Sequence, residues 1–197
     1  MRSLAIMVFA AVLAGVGVAH AGVKVVEHVD QYRITGTTGE ALMKAMDRNG
    51  PRHGFMARAI AQTRYSIAWN IDWEAEGQRC TLKQADVTLT VNYRFPAIAG
   101  PVSPALKRKW AAFMKGVNKH ERTHGRIARE MAEAAYKAAV KVGANGDPNC
   151  RKAKQDLSRV VHEIYADYEA RQQRFDAIEH QPGGNVDRLV SSLIRRR

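Results

Sequence analysis

The sequence predicts an α+β fold in which a small antiparallel β-sheet packs against two long C-terminal helices. Three observations carry this expectation. Residues 63–73 and 85–93 alternate apolar and polar side chains with period two, the mark of strands with one covered face. Residues 104–142 hold helix formers almost throughout, with Trp110, Phe113, Met114 and Val117 at three- and four-residue spacing. A Gly/Asn/Pro break at 143–148 then separates them from a second helical stretch, 151–180.

The N-terminus reads as a targeting segment. Arg2 gives a positive start, Leu4 to Val18 is a continuous apolar run, and Ala19-His20-Ala21 is a small-x-small cleavage site. Cleavage between Ala21 and Gly22 assigns residues 1–21 to a signal peptide and predicts a periplasmic or secreted protein. The mature chain then has 176 residues, the 197 less those 21, enough for one domain with its own core. We expect that domain to span residues 22–182, with 183–197 as a basic C-terminal tail.

Within the domain, residues 23–35 are rich in Val, Ile and Tyr and suggest a first strand. A turn at Gly36–Gly39 leads to a short helix that Asn49-Gly50-Pro51 stops. Tyr65, Ile67, Trp69, Ile71 and Trp73 form the apolar face of the next strand, and Trp69 and Trp73 read as core. Glu76-Gly77-Gln78 suits a hairpin into the strand carrying Ala85, Val87, Leu89, Val91 and Tyr93. Ser103 can cap the first long helix, and Pro104 fits its first turn. The second long helix offers Leu157, Val160, Val161, Ile164, Tyr168, Phe175 and Ile178 as its buried side, and Pro182-Gly183-Gly184 breaks it. The last dozen residues could form a loose basic amphipathic helix.

Two cysteines, Cys80 and Cys150, suit a disulfide in an exported chain. Closing so long a loop stabilises by about 3–4 kcal/mol in the chain-entropy model. The formal charge of +12 falls to +11 without Arg2. A basic protein outside the cytoplasm can meet anionic lipid, cell-wall polymers or acidic proteins, whereas nucleic acid is not expected in that compartment.

The first long helix carries His120-Glu121-Arg122-Thr123-His124. Positions i and i+4 lie one turn apart on one face, so both imidazoles can reach one ion. This is the HExxH arrangement, in which two histidines bind Zn²⁺ and the glutamate acts as general base towards a zinc-activated water. Glu121 is therefore the candidate catalytic residue, and His120 and His124 are candidate metal ligands on a zincin-like helix. A solvated helical face with ordinary His-Glu neighbours is the plainer alternative.

These features resemble a bacterial family of exported proteins described as predicted secreted zinc-dependent proteases. The resemblance begins at Tyr32-Arg33-Ile34-Thr35-Gly36, Leu42 and Gly50-Pro51. It continues through Thr63-Arg64-Tyr65-Ser66-Ile67-Ala68-Trp69, Cys80 and Val87-Thr88-Leu89, and ends at Trp110 and the HExxH run. It implies a peptide or protein substrate in the envelope, although the protease label of that family comes from the same motif. Members commonly carry an aromatic-Asp segment followed by a His. Here Phe175-Asp176-Ala177-Ile178-Glu179-His180 is similar, with Phe for Tyr and a different spacing before His180.

A catalytic zinc needs a third protein ligand and an open position. Glu130 is unsuitable, because without a helix-breaking glycine at position 127 the helix carries it about 9 Å beyond His124. If the two long helices form an antiparallel hairpin, HExxH lies opposite roughly 168–180. The third ligand is then His180, with Asp176 and Glu169 as alternatives. Tyr165 and Tyr168 could stabilise an oxyanion or simply pack between the helices. His162-Glu163 lacks a second histidine and reads as a surface pair. Two other classes of function remain open: a non-catalytic envelope protein with a structural zinc site, and a basic module that binds anionic envelope components.

Overall fold

The computed structural model describes residues 22–53 and 57–195, so the signal-peptide segment lies outside the described residues. The architecture is α+β, a mixed four-stranded sheet with helices over it. Its spine is a long hairpin of β4 (Gln62–Glu76) and β5 (Arg79–Ile98), turned at Gly77 with φ +57°. Both strands outrun the alternating segments predicted from sequence, because the pairing runs from Glu76↔Arg79 to Gln62↔Arg94. A bulge between Asp72 and Trp73 interrupts the register once.

On the other side of β5 lies β1 (Val23–Ile34), in register from Val23↔Val87 to Ile34↔Ile98, and it runs parallel. The sheet is therefore mixed, where the sequence reading expected an antiparallel one. Between β1 and β4 the chain passes through α1 (Gly39–Asn49) and a small hairpin of β2 (Arg52–His53) and β3 (Ala57–Arg58). That crossover brings β4 back antiparallel to β1, and the tight turn at Gly77 then returns β5 parallel to it. Residue alternation marks a strand's faces but carries no record of its neighbours' direction.

Ala85, Val87, Leu89, Val91, Tyr93 and Phe95 alternate along β5, and all six are buried. Across the sheet face runs α2 (Pro104–Ala139), capped by the Ser103 hydroxyl accepting from the Leu106 amide at 3.2 Å. It buries Phe113, Val117, Ile127, Ala128 and Ala132. After α2, β6 (Gly143–Asn145) pairs with the start of β5, a short strand where the sequence suggested only a turn. Beside it the Cys80–Cys150 disulfide ties β5 to the N-terminus of α3 (Arg151–His180), with Cα atoms 5.2 Å apart.

The second long helix, α3, folds back along α2 with the bounds the sequence implied. Its packing is lighter than its apolar stripe suggested. Leu157 is buried, but Ile178 is 61% exposed. Trp69 and Trp73 are likewise half-buried, because α3 covers the outer part of β4 only partly. Finally, residues 183–197, read as a tail, contain α4 (Asn185–Ile194), which packs on the domain through buried Leu193 and the Leu189 side chain against Gly116. No described helix is long and apolar enough to cross a membrane.

Candidate metal centre

His120 and Glu121 are buried on the face of α2 that meets β4 and α3. His124 lies one turn on, and the two Nε2 atoms are 3.3 Å apart. From α3, one turn before its end, Asp176 places Oδ1 3.3 Å from His120 Nε2 and 2.9 Å from His124 Nε2. His180 presents Nε2 4.0 Å from the same oxygen. His120, Asp176 and His180 each offer one donor atom, all within 4.8 Å of one another, a possible metal-binding group.

The chemistry of this donor set fits a zinc ion. Ligand bonds of about 2.0–2.1 Å at tetrahedral angles put donor atoms about 3.3 Å apart. The His120, His124 and Asp176 atoms are spaced close to that edge length. The outer ring nitrogens are also accounted for. Gln172 is buried, and its Nε2 donates to the His124 carbonyl at 3.1 Å, which directs its Oε1 onto His124 Nδ1 at 2.6 Å. Because an amide oxygen only accepts, Nδ1 carries a proton, and Nε2 is the ring atom turned towards Asp176 and His120. Glu179 Oε2 lies 3.4 Å from His120 Nδ1 and accepts from Asn185 Nδ2 at 2.9 Å. Such outer partners fix the tautomer and orientation of ligating histidines.

The same side chains are also coupled electrostatically. Burial opposes charge on both partners of the His124–Asp176 contact, yet their hydrogen bonds prevail. The Asp176 carboxyl is held well below its usual range by bonds from His120 and His124, so it stays ionised. The His124 imidazole is raised by Asp176 and Gln172. Burial, and then the neighbouring His120, push His180 down. Phe175 walls the cluster, stacked on the His120 ring with centroids 4.9 Å apart.

These residues open onto a cleft of about 980 Å³ that also holds Glu121, Thr63 and Tyr65. The Thr63 hydroxyl donates to Glu121 Oε2 at 2.6 Å and lies 3.0 Å from the Glu121 carbonyl oxygen. Tyr65 donates to Glu169 Oε2 at 3.2 Å, and burial followed by that carboxylate pushes the phenol up to about 12. Glu169, an alternative third ligand from sequence, thus bonds to Tyr65 at the cleft wall and stands outside the donor cluster. Tyr165 accepts from Trp69 Nε1 at 2.9 Å between α3 and the sheet, while Tyr168 lies under Arg171. The phenol that faces the cleft is Tyr65, which the period-two pattern marked only as an inward strand residue. Glu130 is engaged by Arg126 and Arg171, each at 2.6 Å.

Sequence reasoning missed Gln172, Glu179 and Thr63. Gln172 and Glu179 did fall in or beside the 168–180 window opposite HExxH, so helix counting could have raised them. Nothing in the strand pattern singled out Thr63.

Comparison with curated proteins and with solved structures returns no match in either case. The family described as "Bacterial protein of unknown function (DUF922)" matches residues 29–184, which contain the whole donor cluster and the disulfide. With most of its length matched, the chain belongs to the DUF922 family of bacterial proteins of unknown function.

Proposed function

We propose that this protein is a zinc-dependent metallopeptidase of the bacterial cell envelope. The observation that carries the proposal is the combination of three donor atoms at tetrahedral spacing with a buried glutamate beside them in one cleft. His120, His124 and Asp176 would hold the ion, Gln172 and Glu179 would orient the imidazoles, and the disulfide is consistent with an extracytoplasmic location. A zinc ion bound there supplies Lewis acidity, lowering the pKa of water and polarising a carbonyl.

The remaining steps belong to the chain. Glu121 takes a proton from the attacking water and returns it to the leaving amine as the C–N bond breaks. Thr63 fixes the Glu121 carboxyl through Oε2, leaving the other oxygen for the proton. Tyr65, protonated at neutral pH, lines the same cleft as a hydrogen-bond donor. A peptide suits this site because Arg58 to Thr63 border the cleft as a continuous run. Their last residues open β4, which among the described residues pairs only with β5, leaving its other edge for strand addition. The formal charge, +12 for the whole chain and +11 without Arg2, favours an acidic substrate or an anionic envelope surface nearby.

One observation favours a second reading, a structural zinc site: His180 supplies a possible fourth donor, and closed four-ligand spheres are structural. Metal analysis and activity separate the two. Purified mature protein should carry one zinc per chain, and His124→Ala should lose it. Glu121→Gln should keep the zinc and lower the turnover of a peptide found by library screening by roughly 100- to 10,000-fold. Zinc retained with no hydrolysis by wild type would leave the structural reading standing.

A further inference from the structure

A hydrolytic zinc centre keeps one coordination position open, yet four donor-bearing side chains surround this one. They are not equivalent. His120 and His124 have side chains only 8% and 14% exposed, and each has its Nδ1 held by an acceptor on α3. Asp176 Oδ1 touches both Nε2 atoms. The His180 side chain is 57% exposed, and its Nε2 stops 4.0 Å from Asp176 Oδ1, beyond the spacing of the other three. Its ring meets that of His120 edge-on, centroids 5.4 Å apart. Among the described residues no hydrogen bond anchors its Nδ1.

Its place in the chain matches this looser hold. His180 is the last residue of α3, one turn after Asp176, so no further helical turn packs over it. The backbone becomes extended at Gln181 and reverses at Gly183, φ +72°, before α4 begins. Glu179 and Asn185, bonded at 2.9 Å, secure the path on either side of that reversal. The imidazole can therefore rotate about its side-chain bonds while α3 and α4 stay docked.

We propose that His180 is a removable fourth ligand: in the resting protein it closes the coordination sphere, and it withdraws when a substrate oxygen takes that position. This rests on the zinc-peptidase reading and adds latency to it. Three anchored donors hold the ion, and the unanchored one guards it. The exchange swaps one neutral donor for another at constant charge, so no proton or electron has to be supplied.

Cobalt-substituted protein tests this without a substrate, because the visible absorption of Co²⁺ reports its coordination. The probe is acetohydroxamate, a small chelating anion. Cobalt affinity of His180→Ala should stay within about tenfold of wild type, while His124→Ala should lose over a hundredfold, in line with anchored and unanchored donors. His180→Ala should also show an altered cobalt spectrum and bind acetohydroxamate at least about tenfold more tightly, the closing ligand being gone. His180→Gln, which keeps a side chain of similar bulk, should behave in the same way. Equal acetohydroxamate affinity in wild type and both variants would overturn the proposal alone. So would a cobalt loss in His180→Ala as severe as in His124→Ala, since His180 would then be an indispensable ligand. A wild-type protein that binds no stoichiometric cobalt or zinc would overturn the zinc reading as well.

Discussion

Gln172 holds His124 at two atoms at once, its amide nitrogen on the carbonyl oxygen and its amide oxygen on Nδ1. A carboxylate could serve the ring but would repel the carbonyl, and an apolar side chain would serve neither. An amide is the one common side chain that donates and accepts in this geometry. Gln172→Leu should accordingly weaken zinc binding about 10- to 100-fold, as loss of an outer partner of a ligating histidine does. Chelator competition monitors this, and the circular dichroism spectrum should remain that of wild type. Unchanged affinity would mean that packing against Phe175 orients the ring instead. The residue types at the centre were legible in part: the HExxH pair stood out, while a buried glutamine on the second helix carries no local signature.

At the scale of elements, the close approach of α2 to β5 sets the depth of the HExxH helix. Gly125 follows His124 directly, and a Cβ there would lie 1.9 Å from Tyr93 Oη and 2.9 Å from Cζ. An alanine in a helix interior ordinarily gains about 1 kcal/mol over glycine. Here the overlap with a buried side chain should reverse the sign, and Gly125→Ala should destabilise by about 1–3 kcal/mol as overpacking does. Urea denaturation measures the loss, and Tyr93→Phe should relieve much of it by removing the hydroxyl, a coupling that a double-mutant cycle reads. Stabilisation by Gly125→Ala in the wild-type background would show that α2 can lift from the sheet at little cost. The i, i+4 pairing within α2 needed only helical geometry to be read, but the depth of the helix on the sheet depends on Tyr93, thirty-two positions earlier in the chain.

For the molecule as a whole, the disulfide connects the sheet to the helix that brings Asp176. Cys80 and Cys150 are 70 residues apart, and closing a loop of that length contributes about 4 kcal/mol in the chain-entropy model. The Cys80→Ala/Cys150→Ala protein should therefore melt on the order of 10 °C lower, given that about 1 kcal/mol shifts a domain of this size by about 2–4 °C. Calorimetry of the zinc-free forms keeps metal binding out of the comparison. A shift under about 2 °C would show that the bridge adds little to the β6 and α3 contacts around it. Docking of α4 through Leu193 is another whole-molecule feature. The charge-rich end of the sequence suggested a basic tail with a loose amphipathic helix, and apolar residues at helical spacing seat that helix on the domain.

Local patterns determined much of this protein. Period two identified the β4–β5 hairpin, period 3.6 identified α2 and α3, and helical spacing alone brought His120, Glu121 and His124 to one face. Such inferences hold because backbone hydrogen bonding within an element fixes side-chain direction over a few residues. Tertiary structure decided the rest: the parallel pairing of β1, the choice of Asp176 as the oxygen shared by both histidines, and the support from Gln172, Glu179 and Thr63. The supporting residues lie 48 to 59 positions from their partners, and only the packing of α3 and β4 on α2 sets which of them meet.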